Sequence, residues 1–128
     1  DEGGAIIADT DWDIIHYSRD TYNYCWPRDG ALVSIPLTHA GYFDASRRFF
    51  EFCETVFRPF DGYFLHKFTP SGEVASTWHS WVGEDGAPRL AIQEDETGIV
   101  LSAAYLVERE LWSDFLEAVS EALSRTLD

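Results

Sequence analysis

The stretch Tyr22–Gly30, which reads YNYCWPRDG, places three aromatic rings, one guanidinium and one carboxylate within nine residues, just ahead of a long apolar run. Pro27 suits the first turn of a helix, because its missing N–H would have no partner there. A helix that begins here would point Arg28 and Asp29 at a ligand from its N-terminal end. Aromatic rings cover apolar ligand faces, while a carboxylate beside an arginine offers acceptors and donors to vicinal hydroxyl groups. This combination suits a sugar-binding site.

The same residues have a structural interpretation. Trp26 and the neighbouring tyrosines would belong to the core, and Asp29 would be a first-turn acid that interacts favourably with the positive end of the helix dipole. The residue types alone leave both interpretations open.

The length and composition indicate one domain or a piece of one, with enough apolar residues to bury a core: 128 residues, 45% hydrophobic and 16% aromatic. We expect no membrane span, since no apolar run approaches the ~20 residues that a span requires. The sequence shows no leader and no methionine, so we expect residue 1 to result from processing or from a cut in a longer chain.

The charge is strongly acidic, with 23 acids against nine bases, a formal net charge of −14, and Lys67 as the single lysine. Such a charge repels nucleic acid, so we expect no nucleic-acid partner. An acidic surface with almost no lysine favours halophilic adaptation. An ordinary acidic, solubilising surface on a cytosolic protein is the alternative.

The cysteines and histidines predict neither a metal site nor a cofactor. Cys25 and Cys53 lie in apolar surroundings without a CxxC motif, which favours buried free thiols in a reducing, cytoplasmic compartment. The histidines lack the spacing of metal ligands. They are His16, His39, His66 and His79.

The first half of the chain predicts a hairpin followed by two helices. Residues 5–24 alternate as an extended hairpin. Residues 31–40 are apolar on nearly every face, which predicts a helix surrounded by protein; Pro36 should kink or shorten it, and Gly41 should end it. Asp44 is a suitable N-cap for an amphipathic helix that runs to about Phe57.

The second half predicts a second hairpin and two more helices. Residues 63–68 and 75–81 would pair around the turn at 70–72, with Trp78 and Trp81 either packing as a lid or stacking on a sugar. An all-round apolar helix should cover 97–107, where Gly98 suggests close packing, and an amphipathic helix should cover 114–127. Alternation of buried and half-exposed helices predicts a mainly α fold of the α/α toroid type.

The amino-acid sequences of two motifs resemble those of glycoside hydrolase family 15, the glucoamylase and glucodextranase group. These motifs are Tyr22-x-x-x-Trp26-Pro27-Arg28-Asp29-Gly30 and Gln93-Glu94-Asp95-Glu96-Thr97; GGAIIA at 3–8 and DGYFLHK at 61–67 fit the same pattern. The resemblance covers nearly the whole chain and weakens after about Tyr105. It implies that residues 1–128 are an incomplete (α/α)6-barrel catalytic domain of about four helices. Its partners would be the remainder of that domain, or an associating chain.

The resemblance also implies which residues bind the substrate. In the family, the positions of Tyr22, Trp26, Arg28 and Asp29 hold the terminal glucose, and those of Gln93 and Asp95 border the same pocket. Trp78 and Trp81 are further candidates for sugar contacts. The implied activity is exo-acting hydrolysis of terminal α-glucosidic bonds in glucans or oligosaccharides, with inversion.

Inversion needs two carboxyl groups on opposite faces of the sugar, one as acid and one as base. The residues alone offer Asp29 against Glu94, Asp95 or Glu96. The resemblance instead places the general acid in a Trp-Glu-Glu-type segment beyond Asp128 and the base later still. We therefore expect no catalytic residue in this chain and no hydrolysis by it alone.

Two alternatives remain at this point. The chain could be a non-catalytic glucoamylase-like module that binds glucan or a protein, as the large subunits of phosphorylase kinase resemble the family. It could also be an all-α scaffold whose aromatic motif is only core. The bond type (α-1,4, α-1,6 or trehalose-type) depends on the leaving-group side, which these residues do not specify.

The halophile hypothesis predicts that the melting temperature rises with KCl, because salt screens the repulsion among the surface acids. A melting series by circular dichroism in increasing KCl measures this. A melting temperature that falls with salt would contradict halophilic adaptation.

Overall fold

The structure is a computed structural model that describes residues 2–10, 21–60, 62–75, 82–87, 89 and 92–107. Its helices are α1 (Pro27–His39), α2 (Phe43–Phe57), a 3-10 turn (Arg58–Phe60) and α3 (Glu94–Val107). The described part is therefore mainly helical, as the sequence predicts. None of its helices is long and apolar enough to cross a membrane. The predicted helix at 114–127 lies outside the described residues.

Helix α1 begins at Pro27, as the proline predicts, four residues before the apolar run at 31–40. It continues past Pro36 to His39, so the proline does not end it. The prediction that protein surrounds α1 is wrong in this structure, because Leu32 and Val33 are 50% and 43% exposed. Helices α2 and α3 pack against α1 and leave this third face uncovered.

The end of α1 is fixed by Gly41, which confirms its predicted role. Gly41 has a φ of +87°, a conformation that glycine adopts without steric cost. Its N–H donates to the carbonyl of Thr38 at 3.0 Å, and the N–H of Tyr42 donates to the carbonyl of Leu37 at 2.9 Å. These two bonds form a Schellman motif, which satisfies carbonyls that the helix end leaves open.

Helix α2 is amphipathic, as predicted, but its predicted N-cap is wrong. The capping position is Tyr42, which makes no side-chain cap bond, and Asp44 lies inside the first turn. There Asp44 forms an ion pair with Arg47 at 3.6 Å. The buried face of α2 supplies much of the core: Phe49, Phe50, Phe52, Cys53, Val56 and Phe57.

Helix α3 begins at Glu94, three residues before the predicted start, so the acidic block forms its first turn. The expectation of close packing at Gly98 is also wrong, because Gly98 is exposed and no described atom lies within 4 Å of a Cβ built there. Helix α3 is also not covered by protein on every side, since the apolar Leu106 is 69% exposed.

The extended segments are short and pair through isolated bridges within the described residues. Cys25 exchanges two backbone hydrogen bonds with Phe68, at 2.8 and 2.9 Å, and Leu65 forms an antiparallel bridge with Ile92. The predicted turn at 70–72 is confirmed, with residues 67–69 paired to 73–75. A regular strand over 63–68 is not formed, and 76–81 lie outside the described residues.

The predicted N-terminal hairpin falls largely on residues 11–20, outside the described part. Its described ends are joined by a hydrogen bond of 3.0 Å from Ala8 N–H to the carbonyl of Tyr24. Residues 21–25 therefore lie between the N-terminal segment and Phe68, which positions them immediately before α1.

The contact between α1 and α2 depends on a glycine and on a small polar group. A Cβ built on Gly30 would lie 2.3 Å from Cε2 of Phe49, so the two helices approach where Gly30 has no side chain. The Ser46 hydroxyl then donates to the carbonyl of Ser34 at 2.9 Å and accepts from Thr38 Oγ1 at 2.8 Å. Helices α1 and α2 are thus joined by close packing at Gly30 and by the hydrogen bonds of the Ser46 hydroxyl.

Gly30→Ala should destabilise the fold by roughly 1–2 kcal/mol, because overpacking against Phe49 outweighs the gain in helix propensity. The matched control is Gly98→Ala, which should instead stabilise α3 by up to about 1 kcal/mol because the added methyl meets open space. Urea unfolding of the three proteins measures both changes. Equal stabilisation by the two substitutions would contradict the close approach at Gly30.

Candidate functional site

The candidate site lies where the first turns of α1 and α3 meet. Arg28, the second residue of α1, contacts Asp95 and Glu96, which follow the first residue of α3. The two helices pack side by side and begin at the same end of the structure. Two helix N-termini place partial positive charge at one point, which favours carboxylates there.

Glu96 caps the first turn of α1 from the neighbouring helix. The capping position of α1, Trp26, is extended (φ −93°, ψ 116°) and makes no side-chain cap bond. The backbone N–H of Arg28 instead donates to Oε2 of Glu96 at 2.5 Å. A first-turn N–H has no partner within its own helix, so this carboxylate satisfies it.

The guanidinium of Arg28 is surrounded by three carboxylates. Its Nη1 lies 2.8 Å from Asp95 Oδ2 and 3.4 Å from Glu96 Oε1, and its Nη2 lies 3.4 Å from Asp29 Oδ2. Burial opposes the charge of Arg28, but these carboxylates raise its pKa above the ordinary value. The hydrogen bond from Arg28 in turn lowers the pKa of Asp95.

Glu96 is buried, with its side chain 0% exposed, whereas those of Asp29 and Asp95 are 55% and 54% exposed. Burial raises the pKa of Glu96 to about 7. The hydrogen bond and the charge of Arg28 lower this pKa, whereas the charges of Asp29 and Asp95 raise it. Its Oε1 accepts no hydrogen bond from the described residues. Glu96 therefore changes charge near neutral pH while it holds the start of α1.

The aromatic residues of the motif differ in exposure. Tyr22 is 49% exposed, while Trp26 is only 7% exposed and donates from Nε1 to Nε2 of His66 at 3.2 Å. The ring centroids of Tyr22 and Trp26 are 6.3 Å apart. Tyr22 is thus half-exposed, and its ring packs against that of the buried Trp26.

Lys67 is buried beside these rings. Its Nζ lies 4.2 Å from the centroid of the Tyr24 ring and 5.4 Å from that of Trp26, within range of cation–π attraction. The single lysine of the chain is therefore part of the aromatic support of the site rather than of the surface.

The structure brings together most of the residues that the sequence nominates. Arg28, Asp29 and Asp95 form one charged group, and the rings of Tyr22 and Trp26 pack together immediately before the helix that carries Arg28 and Asp29. Gln93 is half-buried directly before α3, and its Oε1 has no hydrogen-bond partner among the described residues. Trp78 and Trp81 lie outside the described residues, so their sugar contacts stay a prediction.

The sequence does not predict three features of the site: the cap that Glu96 provides for α1, and the contacts of His66 and of Lys67 with the aromatic rings. Helical register could have found Glu96, because it lies on the same face of α3 as the buried Val100 and Ala103. His66 and Lys67 come from a segment whose pairing with Cys25 has no local signal.

Other features of the described residues offer less chemistry. They contain no cluster of three or more His, Cys, Asp or Glu side chains that could hold a metal ion. Cys25 and Cys53 are buried free thiols, and burial raises the pKa of Cys25 to about 12, which keeps it unreactive. An apolar cleft of about 530 Å³ lies further along α3, and the described residues that line it, Leu101, Ser102, Tyr105 and Leu106, include no carboxylate, imidazole or amine.

The raised pKa of Glu96 predicts a loss of stability as pH rises. Unfolded glutamate ionises near 4.5 and the folded side chain only near 7, so between these values the folded state binds more protons. Glu96→Gln should therefore gain stability relative to wild type, by about 3 kcal/mol between pH 4 and pH 8. Urea unfolding across this range, at constant salt, measures the difference.

Asp95→Asn is the control for this titration. Because the pKa of Asp95 is lowered, its stabilisation is present above its unfolded pKa and is lost only as pH falls through the folded value. Its difference from wild type should change far less than that of Glu96→Gln between about pH 5 and pH 8, because loss of the Asp95 charge removes only the smallest contribution to the raised pKa of Glu96. A Glu96→Gln difference that changes as little would mean that Glu96 titrates normally.

Comparisons with known proteins give no match: no family model, no curated protein and no solved structure is significantly similar to the chain. The family resemblance of the Tyr22–Gly30 and Gln93–Thr97 motifs therefore stays a prediction from their residues.

Proposed function

We propose that the group around Arg28 is part of the glucose-binding −1 subsite of an exo-acting, inverting α-glucosidase-type glycoside hydrolase. In this proposal the chain binds the terminal glucose of an α-glucan or oligosaccharide but supplies neither the general acid nor the general base. The substrate is held by the Arg28–Asp29 pair, with Tyr22 as the exposed ring and Asp95 and Gln93 at the border.

The observation that carries the proposal is the position of Arg28 and Asp29 at the N-terminus of α1. Asp29 is half-exposed and lies 3.4 Å from the partly exposed Arg28, so a carboxylate and a guanidinium are presented together at the start of α1. The half-exposed Tyr22 packs against Trp26, the residue before that helix. Vicinal hydroxyls of a pyranose can donate to the carboxylate and accept from the guanidinium. The exposed ring covers an apolar sugar face.

The excess of carboxylates suits the transition state of glycoside hydrolysis. Asp29, Asp95 and Glu96 surround one guanidinium, so the group is net negative when all three are ionised. An oxocarbenium-like transition state develops positive charge and strengthens the hydrogen bonds that its hydroxyls donate. Such a site would bind the transition state better than the ground state.

Neither Asp95 nor Glu96 suits the role of the general acid. Asp95 has a lowered pKa, which does not suit a general acid that must be protonated near neutral pH. Glu96 has a suitable pKa, but it is fully buried and bonded to the backbone of Arg28, out of reach of a substrate. This supports the proposal that the general acid lies elsewhere.

For the fold, we propose a partial (α/α)6 toroid with α1 and α3 in the inner ring and α2 in the outer ring. The adjacent N-termini of α1 and α3, with α2 packed on α1, are compatible with this arrangement. The exposed apolar faces of α1 and α3, with Leu32 and Leu106, would contact further inner helices of the domain or of an associating chain.

The alternative is a non-catalytic glucoamylase-like module that binds carbohydrate or a protein. The same Arg28–Asp29 geometry favours it equally, since binding of a sugar needs only this half of the site. A scaffold with no ligand is disfavoured by the exposure of Asp29 and Tyr22, which an aromatic core motif does not require.

The proposal predicts that the 128-residue chain binds methyl α-D-glucopyranoside but releases no β-glucose from maltotriose or trehalose. Proton NMR in concentrated KCl follows both, through saturation transfer to the glucoside and through the anomeric signals of released glucose. Asp29→Asn should weaken glucoside binding about tenfold or more, because it removes a charged acceptor for the sugar hydroxyls.

Asp44→Asn is the matched control, because Asp44 is an exposed acid in the first turn of α2 and lies outside the site. It should bind the glucoside as wild type does. Equal binding by Asp29→Asn and wild type would remove Asp29 from the site, and release of β-glucose would mean that a working acid–base pair lies within these residues.

A further inference from the structure

Glu96 makes no sugar contact in the proposed function, yet it holds Arg28 at two points. Its Oε2 accepts the backbone N–H of Arg28 at 2.5 Å, and its Oε1 lies 3.4 Å from Nη1 of the same residue. This carboxyl is 0% exposed, and its Oε1 accepts no hydrogen bond from the described residues. A buried acceptor without a full hydrogen bond is costly, so its presence calls for a reason.

We propose that Glu96 is a positioning residue whose ionised carboxylate fixes the direction of the Arg28 side chain, so that Arg28 is ordered for a ligand only while Glu96 is charged. The proposal rests on the function assigned above to Arg28. It assigns the ordering of the guanidinium to a side chain that the ligand does not touch.

The two contacts from one carboxylate explain how the positioning works. An arginine side chain has many rotamers and loses conformational entropy when it is held in one geometry. The hydrogen bond from the backbone N–H of Arg28 fixes the Glu96 carboxylate relative to the first turn of α1. The attraction between Oε1 and Nη1 then holds the guanidinium close to Glu96. Ordering before binding lowers the entropic cost that a ligand would otherwise meet.

The neutral acid cannot hold Arg28 in the same way. A proton on Oε1 removes the attraction to Nη1, and the remaining acceptor is a weaker partner for the backbone N–H than a carboxylate. Arg28 is then left with Asp95 and Asp29, both of which are half-exposed and therefore screened by water.

The charged groups around Glu96 determine which form is present. From α1 it faces Arg28, which favours ionisation, and Asp29, which opposes it; from its own helix it faces Asp95, which also opposes it. The thiols of Cys25 and Cys53 lie near it and stay neutral, since burial raises their pKa values. With burial added, the pKa of Glu96 is about 7, so both forms are populated near neutral pH.

The test is a pH titration of the uniformly ¹⁵N-labelled chain by NMR, with and without Glu96→Gln. In the wild type, the backbone amide proton of Arg28 and its Nε–Hε signal should both shift with one common midpoint near pH 7. In Glu96→Gln both steps should be absent. Asp95→Asn, which changes an exposed partner of the same guanidinium, should keep both steps.

Two outcomes would overturn the proposal. One is an Arg28 amide that does not titrate near pH 7. The other is an amide that titrates while Nε–Hε does not follow, because Glu96 would then be only a helix cap. The conservative Gln retains size and an acceptor oxygen, so a lost step cannot be attributed to loss of packing.

A binding series separates this proposal from the assigned function. Methyl α-D-glucopyranoside should bind wild type roughly fivefold more weakly at pH 5.5 than at pH 8, and Glu96→Gln should show no such change. Binding that does not depend on pH, while Arg28 titrates, overturns the positioning role in ligand binding. Absence of binding at every pH counts against the glucose-binding function, and the Arg28 titration alone then decides whether Glu96 positions the arginine.

Discussion

The hydrogen bond between the Glu96 carboxylate and the backbone N–H of Arg28 is the interaction on which the rest of the site depends. It joins the first turns of two helices that are 68 residues apart in the chain. Without it, the start of α1 would have an unsatisfied donor, and α3 would have a buried charge without a strong partner. The acidic block and the aromatic motif therefore stabilise each other only after the tertiary fold has formed.

The same bond sets stability and ligand binding against each other. Burial of Glu96 makes its ionised form costly for folding, yet only the ionised form gives Arg28 two attractive contacts. A core that served stability alone would place an apolar residue at this position, as it does at Val100 and Ala103 on the same face of α3. Costly groups of this kind are typical of functional sites, where local rules of sequence are broken for binding.

Local features of the fold were predictable from the sequence, whereas tertiary features were not. Pro27 predicted the start of α1 and Gly41 its end, because the fixed φ of proline and the positive φ of glycine each act through a single residue. The amphipathic pattern of α2 gave its buried face. Asp44 was mistaken for a cap, since residue type does not show whether the chain presents the carboxylate to the free N–H groups.

The sequence predicted which residues belong to the candidate site, but not which role each residue has there. The motif named Arg28, Asp29 and Asp95, which the structure does bring together. The motif alone does not distinguish the exposed Asp95 from the buried Glu96; the helical register that Glu96 shares with Val100 and Ala103 does. The support from Lys67 depends on the antiparallel bridge of Cys25 with Phe68, which joins segments 43 residues apart.

That bridge also has a consequence for the order of folding. Cys25 acquires its backbone hydrogen-bond partner only when residue 68 is present, and the backbone N–H of Arg28 acquires its own only when residue 96 is present. Contacts between distant segments carry a large loop-closure entropy and slow the folding reaction. On the ribosome, the aromatic motif therefore emerges before its partners, and the proposed sugar-binding surface cannot assemble until residue 96 has been synthesised.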